Sequence, residues 1–113
     1  MSRMKVFFYA AVLLLAVATT VPAQSLTATI VGRVVDSQGL PVPGVTIVAS
    51  SPNLQGTRET VTSTNGDYII SLLPSGTYTV QFELSGFATQ TRTVSVAPTQ
   101  VTPLEVEMGP AAG

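Results

Sequence analysis

Gly and Pro interrupt this chain so often that no interval between them sustains a helical period, and the pieces between them alternate apolar with polar residues. No other property narrows the choice of fold as much. A strand turns successive side chains to opposite faces, so alternation marks a strand with one buried side. The cleanest case runs from Thr77 to Leu84, where Tyr78, Val80, Phe82 and Leu84 share the inward face and Thr77, Thr79, Gln81 and Glu83 the outward one. Composition agrees. Val, Ile and Thr supply 30 of the 90 residues from Gln24 onward, and branching at Cβ suits a pleated surface better than a helix.

The pattern predicts seven strands, over residues 28–36, 45–50, 60–64, 67–73, 77–84, 89–97 and 103–108. Ile30, Gly32 and Val34 face inward in the first, Val45, Ile47 and Ala49 in the second, Val94 and Val96 in the sixth, and Leu104, Val106 and Met108 in the last. Asn65-Gly66 is the strongest hairpin signal, because that pair takes the positive φ angles of a tight turn. Strands with one apolar face must be covered by a second sheet. The expected architecture is therefore all-β, a seven-stranded Greek-key sandwich. Residues 109–113 carry no apolar period and read as a linker or ragged end.

Residues 1–23 read differently. Arg3 and Lys5 precede an uncharged run from Val6 to Ala18, and Val21 and Ala23 then occupy the −3 and −1 positions of a small-residue cleavage pattern. This is the layout of a secretory signal-peptide helix, cut between Ala23 and Gln24. The run is short for a membrane span, which needs about 20 residues. No Cys follows to carry a lipid anchor. The expectation is an exported chain, located in the periplasm, at the outer membrane or secreted, with no membrane span after cleavage.

The remaining composition closes several functional classes. From Gln24 onward there are three Arg, six acids and no Lys, His, Cys or Trp. No basic stripe is available to hold a phosphate backbone, so nucleic acid is not an expected partner. Nucleophilic triads, Cys nucleophiles, Schiff-base lysines and Cys or His zinc sites all lack their residues. Glu105 and Glu107 share one strand face, but their expected role is to keep that face solvated and its edge unattractive to other strands. Asp36, Asn65 and Asp67 sit in or beside turns, where such side chains serve local backbone; a calcium site needs six to eight oxygens. The cluster Gly39-Leu40-Pro41-Val42-Pro43-Gly44 joins strand to strand without the Lys-Ser or Lys-Thr of a phosphate loop, so it is read as a connector. No enzyme activity, cofactor or metal is expected. Among the aromatics, Tyr68, Tyr78 and Phe82 take inward positions. Phe87 follows Gly86 outside the alternation and is the candidate ligand or partner contact, either exposed as a platform or folded over an end of the sandwich.

Four motifs occur in order: G-x-V-x-D-x-x-G-x-P-x-P-G-V from Gly32 to Val45, N-G-D-Y from Asn65 to Tyr68, L-P-x-G-x-Y from Leu73 to Tyr78, and Gly86-Phe87. Their order and spacing resemble the carboxypeptidase regulatory-like domain, a transthyretin-like β-sandwich within the carbohydrate-binding-like folds. The resemblance spans about Ile30 to Met108, and assigns residues 24–108 to that domain. It implies an accessory module that supplies no catalytic residues. Similar domains follow the signal peptide of TonB-dependent outer-membrane receptors, which implies a protein partner or a receptor assembly. The receptor pattern continues into a plug and barrel, whereas this chain ends at Gly113. A receptor fragment or a detached module is therefore expected. A free-standing carbohydrate-binding module is the alternative implied by the fold group.

Overall fold

A computed structural model describes residues 26–111. The expected signal peptide, residues 1–23, and the cleavage point between Ala23 and Gln24 lie outside the described residues. Eight strands are present: β1 Ala28–Asp36, β2 Thr46–Ser50, β3 Thr57–Val61, β4 Asp67–Leu73, β5 Gly76–Glu83, β6 Gln90–Val96, β7 Val101–Pro103 and β8 Val106–Met108. One sheet has the order β4-β1-β7, with β8 pairing further along β1; the other has the order β3-β2-β5-β6. The chain changes sheet after β1, β3, β4 and β6, the Greek-key pattern expected of a small sandwich. Among the described residues, no helix is long and apolar enough to cross a membrane.

The inward alternation builds the core. Ile30 and Val34 of β1, Ile47 and Ala49 of β2, Tyr78, Val80 and Phe82 of β5, and Met108 of β8 are all buried. Tyr68 of β4 meets Phe82 across the interface edge-to-face, with ring centroids 5.7 Å apart at 73°. That geometry sets the positive rim of one ring on the negative face of the other, and locks the two sheets together.

Four expectations need correction. The third strand lies three residues earlier than residues 60–64 and ends at Val61; beyond it Thr62 keeps main-chain bonds to Val45 O and Gly44 N and turns its side chain to the connector. Its Oγ1 donates to Val42 O at 2.8 Å and accepts from Val45 N at 2.9 Å. The Asn65-Gly66 turn closes locally, with Gly66 N donating to Ser63 O and Ser63 N to Asp67 O. Its flanking strands then part into opposite sheets, so the turn is a corner between layers rather than the tip of a paired hairpin. Residues 109–111 are not ragged: Ala88 N donates to Gly109 O and Ala111 N to Gly86 O, which binds the tail across the β5–β6 loop.

The final expected strand is two strands in one register. Thr29 pairs with Val101, Val31 with Pro103, Val34 with Val106 and Asp36 with Met108, all parallel and all at a constant offset. Pairing lapses at Leu104 and Glu105, opposite Gly32 and Arg33. A Cβ placed on Gly32 would overlap Leu104 O and crowd the Tyr68 hydroxyl. Gly32 is thus required by close approach rather than by its backbone angles. Seven strands become eight because a carbonyl is turned inward at that point.

Candidate functional site

The connector between β1 and β2 is held by hydrogen bonds within itself and to β1 and Thr62. Asp36 Oδ1 accepts from Gln38 N and Leu40 N, each at 2.9 Å, and Asp36 N donates to Leu40 O. Gly66 at φ 75 packs under this loop, where a Cβ would stand 2.6 Å from Val34 O. The first two sequence motifs therefore meet in one place, and what they build is a corner. Asn65 caps back onto Ser63 Oγ, while Asp67 Oδ1 accepts from Arg33 Nε at 3.0 Å. Asp36 thus serves local backbone, Asn65 donates only its main-chain N–H, and Asp67 pairs across the sheet with Arg33. Among the described residues, no three His, Cys, Asp or Glu come together as a metal-ligand group.

Phe87 is half-buried against the core, and its backbone bridges to Pro110 at the end where β1, β5 and β8 finish. Nearby, Thr46, Glu83, Leu84, Ser85 and Thr89 line a polar surface depression.

A more informative surface lies on the outward face of the β4-β1-β7 sheet. Register places Asp67 beside Arg33 in one row and Ile69, Val31 and Pro103 in the next, and Glu105 lines the same surface as Asp67 and Arg33. Thr29 and Val101 continue into a third row, which β4 meets at an irregularity. Ala28 pairs with Leu73 and Ile30 with Ile70, so β4 holds one residue more than β1 and bulges at Ser71-Leu72. Leu72 adopts φ 58 within that bulge and is exposed. Glu107 extends the acidic border one row beyond Glu105, beside Val35.

Beside the charged row lies an open depression of about 440 Å³ lined by Val31, Gly32, Arg33, Asp67, Tyr68 and Glu105. Tyr68 lines it, and its hydroxyl donates to Leu104 O. Burial, and secondarily the negative charge of Glu105, push the Tyr68 phenol well above its ordinary range. It is a neutral donor at any physiological pH. Nothing here resembles an acid–base pair. The face offers apolar contact bordered by carboxylates.

Sequence reasoning named Glu105 and Glu107 but passed over Ile69, Leu72 and Val31. The signal was present as broken alternation: Ile30-Val31, Ile69-Ile70 and Leu72-Leu73 are paired apolar residues in strands that have only one face to bury.

Comparison with known proteins fits this architecture. Residues 29–109 match the carboxypeptidase regulatory-like domain. Over 62 residues the chain is 45% identical to the TonB-dependent transporter Oar of Myxococcus xanthus, a match covering 54% of this chain and 6% of that protein. The chain therefore corresponds to a small part of that relative. Among solved structures, the Bacillus anthracis TIE protein superposes with a TM-score of 0.67 at 16% identity, over 77% of this chain and 17% of the other. The 3-chlorocatechol 1,2-dioxygenase of Rhodococcus opacus 1CP gives 0.63 at 12% identity, over 78% and 61%. Identities this low carry the fold alone. With the family match running from the first residues of β1 to the end of β8, the chain belongs to the carboxypeptidase regulatory-like domain family.

Proposed function

We propose that this chain is an exported, non-catalytic contact module of the bacterial cell envelope, related to the N-terminal domain of TonB-dependent receptors. The observation that carries this reading is the 45% identity to part of a TonB-dependent transporter. The sequence of residues 1–23 supports export, and the acid-bordered apolar face supports action by protein contact. The mature chain starts at Gln24 and stays in the periplasm or at the outer membrane. It works as part of a receptor assembly, either as a piece of a receptor chain or as a detached copy of its leading domain. No bond of a substrate is made or broken by it.

Cell fractionation with N-terminal sequencing tests this. The expected product begins at Gln24, sediments with the outer membrane and is released by urea. A product that begins at Met1 and remains in the cytosol overturns the reading.

A further inference from the structure

Two properties of the outward face of the β4-β1-β7 sheet do nothing for the sandwich itself. Ile69, Leu72 and Val101 are 58%, 64% and 62% exposed; Ile69, Val31 and Pro103 form one apolar row, and in the next Leu72 and Val101 lie on either side of Thr29. Single exposed apolar residues are ordinary, whereas a contiguous set rimmed by charge marks a contact surface. Leu72 adds an independent sign. It is held in the left-handed region, which disfavours a bulky side chain, and that side chain stays mostly exposed.

We propose that this face docks a basic amphipathic segment of another envelope protein. The segment's apolar side chains rest on Ile69, Val31, Pro103, Leu72 and Val101, and a Lys or Arg beside them meets Glu105 and Glu107. The inference rests on the contact-module reading and specifies its surface.

Charge selects the occupant. Arg33 is committed to Asp67, so Glu105 and Glu107 are the carboxylates on the border that a partner can neutralise. A second copy of this chain has little to offer them. Beyond Arg33, its described cations are Arg58, which donates to Ser71 O, and Arg92, which donates to Gln90 Oε1 and Thr91 O; both are half-buried. An anionic bilayer surface would face the same two carboxylates and be repelled. A basic polypeptide satisfies both the apolar rows and their border.

The test is photocrosslinking in living cells, using the full 113-residue chain with a benzophenone amino acid at one position. Replacing Ile69 or Val101 probes this face. Replacing Thr79 or Thr93, which neighbour each other on the outward side of the other sheet, probes the opposite face. The expected result is protein adducts about tenfold stronger from positions 69 and 101 than from 79 and 93. The crosslinked peptide should carry a Lys or Arg next to at least two apolar residues. Adding Glu105→Lys and Glu107→Lys should lower the yield about tenfold, with the thermal melt of the chain unchanged. Adducts with lipid, with a second copy, or with a peptide lacking a basic residue overturn the proposal. Protein adducts from 79 and 93 alone overturn the choice of face and leave the contact-module reading standing. No protein adduct from any of the four positions overturns both.

Discussion

The Tyr68 hydroxyl passes over Gly32 and donates to the carbonyl oxygen of Leu104, tying β4 to the break between β7 and β8 across the whole width of β1. The two residues lie 36 positions apart in sequence, and Gly32 between them must lack a side chain for the contact to exist. Tyr68→Phe removes one hydrogen bond and leaves a part-buried carbonyl unpaired, at a cost of about 1–2 kcal/mol. Gly32→Ala pushes a methyl group into the same carbonyl, which cannot move without disturbing β8, and is expected to cost about 3 kcal/mol. Urea denaturation of both variants checks the order. Gly32→Ala milder than Tyr68→Phe would contradict the close approach.

Tyr78 and Phe82 are fully buried on β5, an inner strand of its sheet. Truncation of either to Ala is expected to cost about 3–5 kcal/mol, much of the stability of a domain this small. A loss below about 1 kcal/mol in chemical denaturation would mean that neither ring fills the core as described.

The phenols make stability fall on the alkaline side. Burial raises the Tyr68 phenol, with Glu105 adding to the effect; burial also raises Tyr78, while Arg58 pulls it partly back. Below about pH 10 both phenols are protonated, folded or unfolded, and the full stability is present. Above it the unfolded chain ionises first, and stability declines as pH climbs toward the folded values. Melting temperature should be flat through neutral pH and drop above about pH 10. In Tyr68→Phe that drop should be shallower.

Leu72 sits at φ 58 with its side chain in solvent. Asn tolerates that backbone region better, and little burial is lost on replacement. Leu72→Asn is expected to stabilise by about 0.5–1 kcal/mol, seen as a higher melting temperature. The exposed Arg33–Asp67 pair behaves oppositely to its appearance: Arg33→Ala should cost no more than about 0.5 kcal/mol, and less in high salt.

The alternation from Tyr78 to Phe82 made the core of the sandwich legible before any coordinates, because a period of two has one physical meaning. The boundaries of β3 and β8 were not legible. Each lies beside a tertiary contact: Thr62 Oγ1 bridges Val42 O and Val45 N just past the end of β3, and Leu104 O accepts from Tyr68 at the break before β8. No local pattern contains those partners. The Asn65-Gly66 signal likewise fixed a turn but not which sheets it joins, since the burial of Gly66 beneath Pro41 and Val42 decides the direction of exit. The apolar outer face was visible as doubled apolar residues at 69–70 and 72–73, yet doubling alone does not say which of the two is covered. Register does.

The pairing of β1 with β8 also decides how the domain bears load. These first and last strands run parallel as neighbours, so tension applied through the two ends of the described chain pulls them along their length in opposite senses. Every hydrogen bond between them is then strained together instead of parting one after another. The antiparallel β5–β6 pair, pulled at Glu83 and Gln90, would instead open like a zip. Force spectroscopy through the termini should therefore show a markedly higher rupture force than the same measurement across that hairpin. In mechanical terms the terminal strands form a pair loaded in shear.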